Sequence, residues 1–330
     1  MIISKTPYRI SFFGGGSDYP EWYLKNGGEV ISSTIDKYLY ISCRELSNFF
    51  LHKYRIVYSE TEEVKKIEEI KHKAVRLVLL KKKIKKNLEI HYNGDLPARS
   101  GMGSSSSFIV GLLNAINNFK NYNINKTKLA YESIFFEQKI LKECVGSQDQ
   151  VASTFGGFNS IKFRENKTFK ITNLDKTNIF KNHLNKNLIL LYTGKQRTAE
   201  KIAKRFVSKI NTLKYNNITS ILDLVTIAKD LINKRDYNSF GLLLNEAWKM
   251  KKQLDKSISN NFLDDIYSKA INHGALGGKL LGAGAGGFFL FYVPSEKKNY
   301  FLGKMNFLTH IPFQFENSGS QIIFNSGKNN

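Results

Sequence analysis

Cysteine is scarce in this chain. Only Cys43 and Cys144 occur among its 330 residues, far apart and without a C-x-x-C pair. That excludes a disulfide scaffold and a cysteine metal knuckle, and it predicts reduced thiols, as in a cytoplasmic protein. Histidine is sparse too. The six are scattered, with no H-x-x-x-H or H-E-x-x-H spacing, so no histidine metal centre is expected. No G-x-x-x-x-G-K-[S/T] run occurs, which removes the commonest phosphate loop. There is no internal repeat and no long apolar run. Residues 275–293 come nearest to one, but Lys279 and several glycines interrupt them. Their Gly278-x-x-x-Gly282 spacing also lacks the apolar span a membrane helix needs. Near Met1, Arg9 and three glycines arrive before a signal-peptide core can form.

Acidic residues are outnumbered, 28 to 50, leaving a formal net charge of +22. Taken alone, that charge suggests a nucleic-acid partner. The lysines, however, spread along the whole chain among many Asn and Ile residues, and no aromatic-basic binding motif accompanies them. The densest run, residues 71–86, interleaves Val75, Leu77, Val78 and Leu79 with lysines, which predicts an amphipathic helix with a solvated face. No nucleic-acid or membrane partner is expected, although a basic surface still draws in small anions. With 42% hydrophobic and 13% aromatic residues the chain can build a core, enough for two ordinary domains.

Strand-like segments fall at residues 8–13, 38–44, 55–58 and 88–92. Helical patterns follow at 105–119 and 126–144, then a strand at 158–163. Residues 173–187 read as a polar hinge, and 188–192 as a strand opening a second domain. Helices dominate 199–272, and strands return at 287–293 and 321–324. The mixed order predicts an α+β fold with domains over 1–185 and 186–330.

Four segments carry chemistry. In Pro97-Ala98-Arg99-Ser100-Gly101-Met102-Gly103-Ser104-Ser105-Ser106-Ser107, two glycines and four serines open into an apolar helix. Glycine lets a backbone approach an anion, and the first helical turn offers unpaired N–H groups and a positive dipole end. A helix cap alone would need one serine. The second segment, residues 282–287, formally contains G-x-G-x-x-G. A helical pattern precedes it and a strand follows, the reverse of a dinucleotide fingerprint, so it is either a tight turn of small residues or a loop supporting the site. The third runs from Pro7 and Arg9 to Gly14-Gly15-Gly16-Ser17-Asp18. It leaves a carboxylate on an exposed, flexible turn, to cap that turn or bind sugar hydroxyls. The fourth, Gly146-Ser147-Gln148-Asp149, follows a helix that carries Glu137. One carboxylate near a hydroxyl can take its proton, and a second can hold Mg²⁺, while a plain N-cap would also account for Asp149.

Taken together and in this order, the segments resemble the small-molecule kinases named for galactokinase, homoserine kinase, mevalonate kinase and phosphomevalonate kinase, the GHMP kinases. The likeness spans nearly the whole chain. Phe13–Asp18, Ser147–Gln150 and Gly156-Gly157-Phe158-Asn159 look most like heptose 7-phosphate kinases and related sugar 1-kinases. Gly15-Gly16 depart from the Glu-His of galactokinases. The resemblance implies a two-lobed fold, a ribosomal protein S5 domain 2-like lobe and a ferredoxin-like lobe with the site between them. ATP and Mg²⁺ are the implied cofactors. Pro97, Arg99, Gly101, Met102, Gly103, Ser104, Ser105, Ser106 and Ser107 would wrap the triphosphate. Ser105 and Glu137 would hold Mg²⁺, with Ser104 or Ser106 as substitutes for the serine. Asp149 would be the catalytic base or hydroxyl orienter, and Arg9 would stabilise charge at the transferred phosphoryl group or tune Asp149. Asp18, Gly15, Gly16, Ser17, Gln148 and Gly284 would bind the sugar, and Lys195 and Arg197 its phosphate, unless these two are simply solvated. The implied reaction is phosphorylation of the anomeric hydroxyl of D-glycero-D-manno-heptose 7-phosphate. A kinase of an L-fucose-like hexose and a non-catalytic sugar-binding homologue are the alternatives. Monomer and homodimer both stay open.

Overall fold

In the structure, a computed structural model, residues 1–98, 100–194 and 199–327 are described. The chain begins with β1 (Ile2–Phe13), α1 (Pro20–Asn26) and β2 (Gly28–Glu45), an antiparallel pair that forms the spine of the larger sheet. β3 (Tyr54–Val57), β4 (Thr61–Val64), α2 (Lys73–Lys81) and β5 (Leu88–Gly94) follow. Then come α3 (Ser104–Phe119), α4 (Lys126–Phe135), a π-helical turn over Phe136–Ile140, α5 (Gln148–Phe155), β6 (Phe158–Phe163) and β7 (Phe169–Asn173). The larger sheet runs from β13 (Gln321–Asn325) through β1, β2, β5 and β3 to β4, with β6 and β12 (Phe315–Glu316) also on β2. β1 alternates buried and half-buried residues only at its start. From Thr6 onward every side chain is buried, because α3 covers one face and helices of the second lobe cover the other. α3 is buried over fourteen of its sixteen residues, its serines and asparagines included, as befits a central helix.

The second lobe starts after α6 (Ile179–Asn187). It comprises β8 (Leu188–Tyr192), α7 (Ala199–Val207), α8 (Tyr215–Lys234), α9 (Tyr237–Lys252), α10 (Asn261–Asn272), β9 (Gly277–Leu280), β10 (Phe288–Tyr292), α11 (Lys298–Lys304) and β11 (Thr309–Ile311). Its four-stranded sheet runs β11-β8-β10-β9, antiparallel throughout. The chain then recrosses. β12 (Phe315–Glu316) joins β2, and β13 (Gln321–Asn325) joins β1. The result is an α+β architecture of two lobes. Residues 315–325, expected within the second domain, lie on the first lobe's sheet. Among the described residues no helix is long and apolar enough to cross a membrane.

Two segments differ from the sequence expectation. Residues 179–187, read as a hinge, form α6, because Phe180 and Leu184 four residues apart fill the core on one face. The glycine run at 282–287 is preceded by a strand, not a helix. β9 fits there because Gly277 and Gly278 have no side chain. A Cβ on Gly277 would lie 2.2 Å from the Gly241 carbonyl oxygen of α9.

An aromatic cluster joins the lobes. The buried ring of Phe240 on α9 meets Phe12 at 5.6 Å, Phe13 at 5.2 Å and Phe180 at 5.3 Å, each edge-to-face. Phe240→Ala is expected to lower unfolding free energy by about 3–5 kcal/mol, read by denaturant titration. A loss below about 1 kcal/mol would mean that the lobes do not depend on this ring.

Candidate active site

The strand-to-turn segment at the start of the chain builds one wall. Register between β1 and β2 slips on either side of Arg9, between Pro7 and Arg9 and again between Ser11 and Phe13. Such irregularities re-aim side chains near functional sites. Arg9 is only 4% exposed. Its Nε donates to Asp149 Oδ1 and its Nη2 to Asp149 Oδ2, both at 2.6 Å, while Nη1 donates to the Gly101 carbonyl at 2.9 Å. One guanidinium thus fixes the catalytic candidate and the glycine loop together. Its planar fork suits a two-point grip on a carboxylate. Asp149 sits in the first turn of α5, and its side chain is 23% exposed to the cavity.

Asp18 is not on an exposed turn. It is 1% exposed, accepting from the Gly16 N–H at 3.0 Å and the Gln148 N–H at 3.3 Å. The turn folds inward because Gly146 leaves room for it. A Cβ there would fall 1.9 Å from Asp18 Oδ2. Burial, and then the charge of Asp149, raise the Asp18 carboxyl above the usual aspartate range.

At the loop, Gly101 and Gly103 take positive φ, 91° and 76°, the left-handed conformation open to glycine. A Cβ on Gly103 would crowd Arg9 and Asp149, at 3.3 and 3.4 Å. The loop is braced from behind by the later glycine turn, where a Cβ on Gly287 would lie 2.1 Å from the Ser100 carbonyl oxygen.

These groups share one cavity of about 420 Å³ between the lobes. Arg9, Gly15, Gly16, Asp18, Gln148 and Asp149 line its polar end beside Gly101, Gly103, Ser104, Ser105 and Ser106. Gln148 brings a buried Oε1 that has no partner. Ile202, Phe206, Leu254 and Ile258 from the second lobe form an apolar wall.

Other expected residues stand elsewhere. Met102 is buried in the core, and its carbonyl accepts the Arg9 N–H. The Ser107 hydroxyl is engaged with the Pro7 carbonyl and Ser153, and that of Ser17 with the carbonyls of Gly14 and Glu29. Pro97 does not line the cavity. Gly284 turns away because it packs on Ile258, where a Cβ would lie 2.6 Å from Cα, so Gly282 and Ala283 line the cavity instead. Arg99, Lys195 and Arg197 fall outside the described residues. Nor do the expected metal-binding residues meet. The Ser105 hydroxyl is 3.5 Å from Glu143, whereas Ser106 lies beside Glu137. The cause is helical geometry, since neighbouring positions of α3 point about 100° apart. Glu137 is fully buried, with one oxygen bonded by Gln150 and Oε1 without a partner. Burial pushes its carboxyl up to about 8.

Sequence reasoning gave no role to Glu143, to Lys251 or to Lys279, all of which line the cavity. Lys279 sits inside the glycine-turn motif itself, so a signal for it was present.

The geometry can be set beside known proteins. The model of the GHMP kinases N terminal domain matches residues 69–157, and that of GHMP kinases C terminal matches 228–300. The chain is 31% identical over 312 residues to a D-glycero-alpha-D-manno-heptose 7-phosphate kinase of Campylobacter jejuni, covering 90% of this chain and 91% of that one. It is 24% identical to the bifunctional fucokinase/GDP-fucose pyrophosphorylase of Arabidopsis thaliana, covering 88% of this chain but only 30% of that protein. The solved structure of a D-glycero-D-manno-heptose 1-phosphate kinase from Bacteroides thetaiotaomicron has the same fold, with a TM-score of 0.79 at 23% identity over 98% of this chain and 99% of that one. Family models on both lobes, and identity sustained along nine tenths of a full-length relative, place this chain in the GHMP kinase family as an ATP-dependent kinase.

Proposed function

We propose that the chain transfers the γ-phosphoryl group of ATP to the anomeric hydroxyl of a sugar phosphate, D-glycero-D-manno-heptose 7-phosphate, giving the 1,7-bisphosphate. The observation that carries this reading is the Arg9 grip on both oxygens of Asp149, at the mouth of a glycine loop and across from Asp18. Phosphoryl transfer asks mainly for positioning and charge neutralisation. A carboxylate has about four lone-pair sites, so Asp149 keeps sites free to orient the sugar hydroxyl and accept its proton after Arg9 has taken two. Gly101 and Gly103 let the loop backbone reach the triphosphate, and the first-turn N–H groups of α3 receive it. Asp18 and Gln148 hold sugar hydroxyls. The lobes divide near residue 185, with 315–325 returned to the first. The activity for which the Campylobacter relative is named favours the heptose phosphate. The likeness to a fucokinase region makes an L-fucose-like hexose the second candidate. Incubation with MgATP and a sugar panel, followed by phosphorus NMR, decides between them. An anomeric phosphate on the heptose 7-phosphate is expected, and turnover of the unphosphorylated hexose alone would overturn the assignment.

A divalent ion fits the residues present, because Glu137 offers a buried carboxyl oxygen, Oε1, without a hydrogen-bond partner among the described residues. Mg²⁺ is commonly bound by one or two side chains together with the phosphates of a nucleotide. That ion would neutralise charge on the triphosphate. Glu137 would hold it with Ser106, the serine that lies beside it, in place of the expected Ser105. Ser106→Ala is expected to raise the Mg²⁺ concentration for half-maximal activity by at least about tenfold, and more than Ser105→Ala does. The reverse order would make Ser105 the ligand.

A further inference from the structure

Glu143, Lys251 and Lys279 line the cavity and take no part in the steps above. Lys279 rises from β9 of the second lobe and is buried at 7% exposure. Its ammonium donates to the carbonyl of Phe12, near the end of β1 in the first lobe, at 2.6 Å. The bond therefore crosses the cleft. Among the described residues no carboxylate pairs with it.

The charged groups around the cavity do not compensate it. Asp149 on α5 is held by Arg9 at both oxygens, and Asp18 accepts backbone N–H groups. Lys251 on α9 donates to the carbonyls of Leu280 and Gly282, and Glu143 stands near Ser105. Arg9 on β1 is the charge Lys279 feels, and it has the same sign. An ammonium carries three donors, and Phe12 takes one. A buried cation with donors to spare, facing a cavity and left without a counter-charge, is uncommon unless an anion arrives.

We propose that Lys279 is a phosphoryl-binding residue of this cleft, giving its spare donors to an anionic phosphoryl oxygen lodged between the lobes. The proposal rests on the kinase reading above. The anion has two sources, the γ-phosphoryl group of the nucleotide and the phosphate ester of the sugar. Burial and then Arg9 pull the amine down to about 7, so it is partly deprotonated near neutrality. An arriving anion favours the charged form, and the amine then takes a proton from the buffer.

Calorimetric titrations at pH 8 in two buffers of different ionisation enthalpy read that proton directly. The titrants are a non-hydrolysable ATP analogue with Mg²⁺, ADP with Mg²⁺, heptose 7-phosphate and the unphosphorylated heptose. A net proton uptake is expected with one phosphoryl ligand and not with its truncated counterpart. Uptake with the ATP analogue and not ADP assigns the γ-phosphoryl group. Uptake with the sugar phosphate and not the free sugar assigns the ester. Lys279→Met should abolish the uptake and weaken that ligand at least tenfold, and Lys279→Arg should restore affinity without uptake. Absence of uptake in the unaltered protein with both phosphoryl ligands overturns the proposal, whether or not the variants fold. So does an uptake that survives in Lys279→Met. Failure of the sugar phosphate to bind would refute the substrate assignment instead, and the nucleotide titrations would still decide the role of Lys279.

Discussion

Asp149→Asn is expected to lower kcat by about a thousandfold while binding of an ATP analogue stays within about threefold of the unaltered protein. The substitution keeps the shape and removes the base. It also turns an amide N–H₂ toward the Arg9 fork, donor against donor, where the structure has two hydrogen bonds of 2.6 Å. A buried donor left without an acceptor costs about 1–3 kcal/mol, so Arg9 should release the carboxamide and hold the Gly101 carbonyl alone. Nucleotide affinity survives because the glycine loop keeps its second support behind it, at Gly287. Steady-state kinetics and calorimetry separate the two effects. A kcat within tenfold of the unaltered protein would remove Asp149 from the chemistry.

Gly146→Ala should damage sugar binding with comparable force and leave the nucleotide alone. No positive φ is at stake at this glycine, so alanine is acceptable to the backbone. The obstacle is one methyl group placed 1.9 Å from Asp18 Oδ2. Asp18 cannot swing aside cheaply. It is short and buried, and is held by the N–H groups of Gly16 and Gln148, while the Ser147 N–H binds its carbonyl. The expected result is a rise in sugar KM of about a hundredfold, the scale of two lost hydrogen bonds to a charged or polar group, with the KM for ATP unchanged. An unaltered sugar KM would show that Asp18 does not touch the sugar. A fall in both affinities would point to a general collapse of the cleft.

Much of the fold was legible because its long elements carry clear periodicity. α3, α8 and α9 stand close to where the patterns put them, whereas β1 and β2 begin well before the expected residues 8 and 38. The glycine loop and its serines were legible for a chemical reason, since no ordinary cap needs so many. What escaped depends on contacts distant in sequence. Asp18 read as exposed because its burial comes from Gly146, more than a hundred residues later. Residues 179–187 read as a hinge because six of them are polar, and only the partner surface shows that Phe180 and Leu184 suffice to dock a helix. Gly284 read as a sugar contact because motif position does not reveal which way a glycine faces. Ser105 and Ser106 could not be separated within four identical side chains, and the rotation of α3 separates them. Lys279 stood in plain view, but a lysine in a lysine-rich chain carries no signal until its burial is known.

The return of the chain to its own beginning has a consequence for synthesis. β13 pairs with β1, Ser320 bonds Thr6 and Asn114, and Gly156 lies so close to Ser318 that a Cβ would fall 2.2 Å from its carbonyl carbon. A nascent polypeptide that has reached residue 300 already contains the glycine loop, Arg9, Asp149 and Lys279. It still lacks the strand that covers the edge of β1. Until that strand leaves the ribosome, β1 presents unpaired backbone groups along an edge that invites foreign strands. The first lobe is thus begun before the second and finished after it.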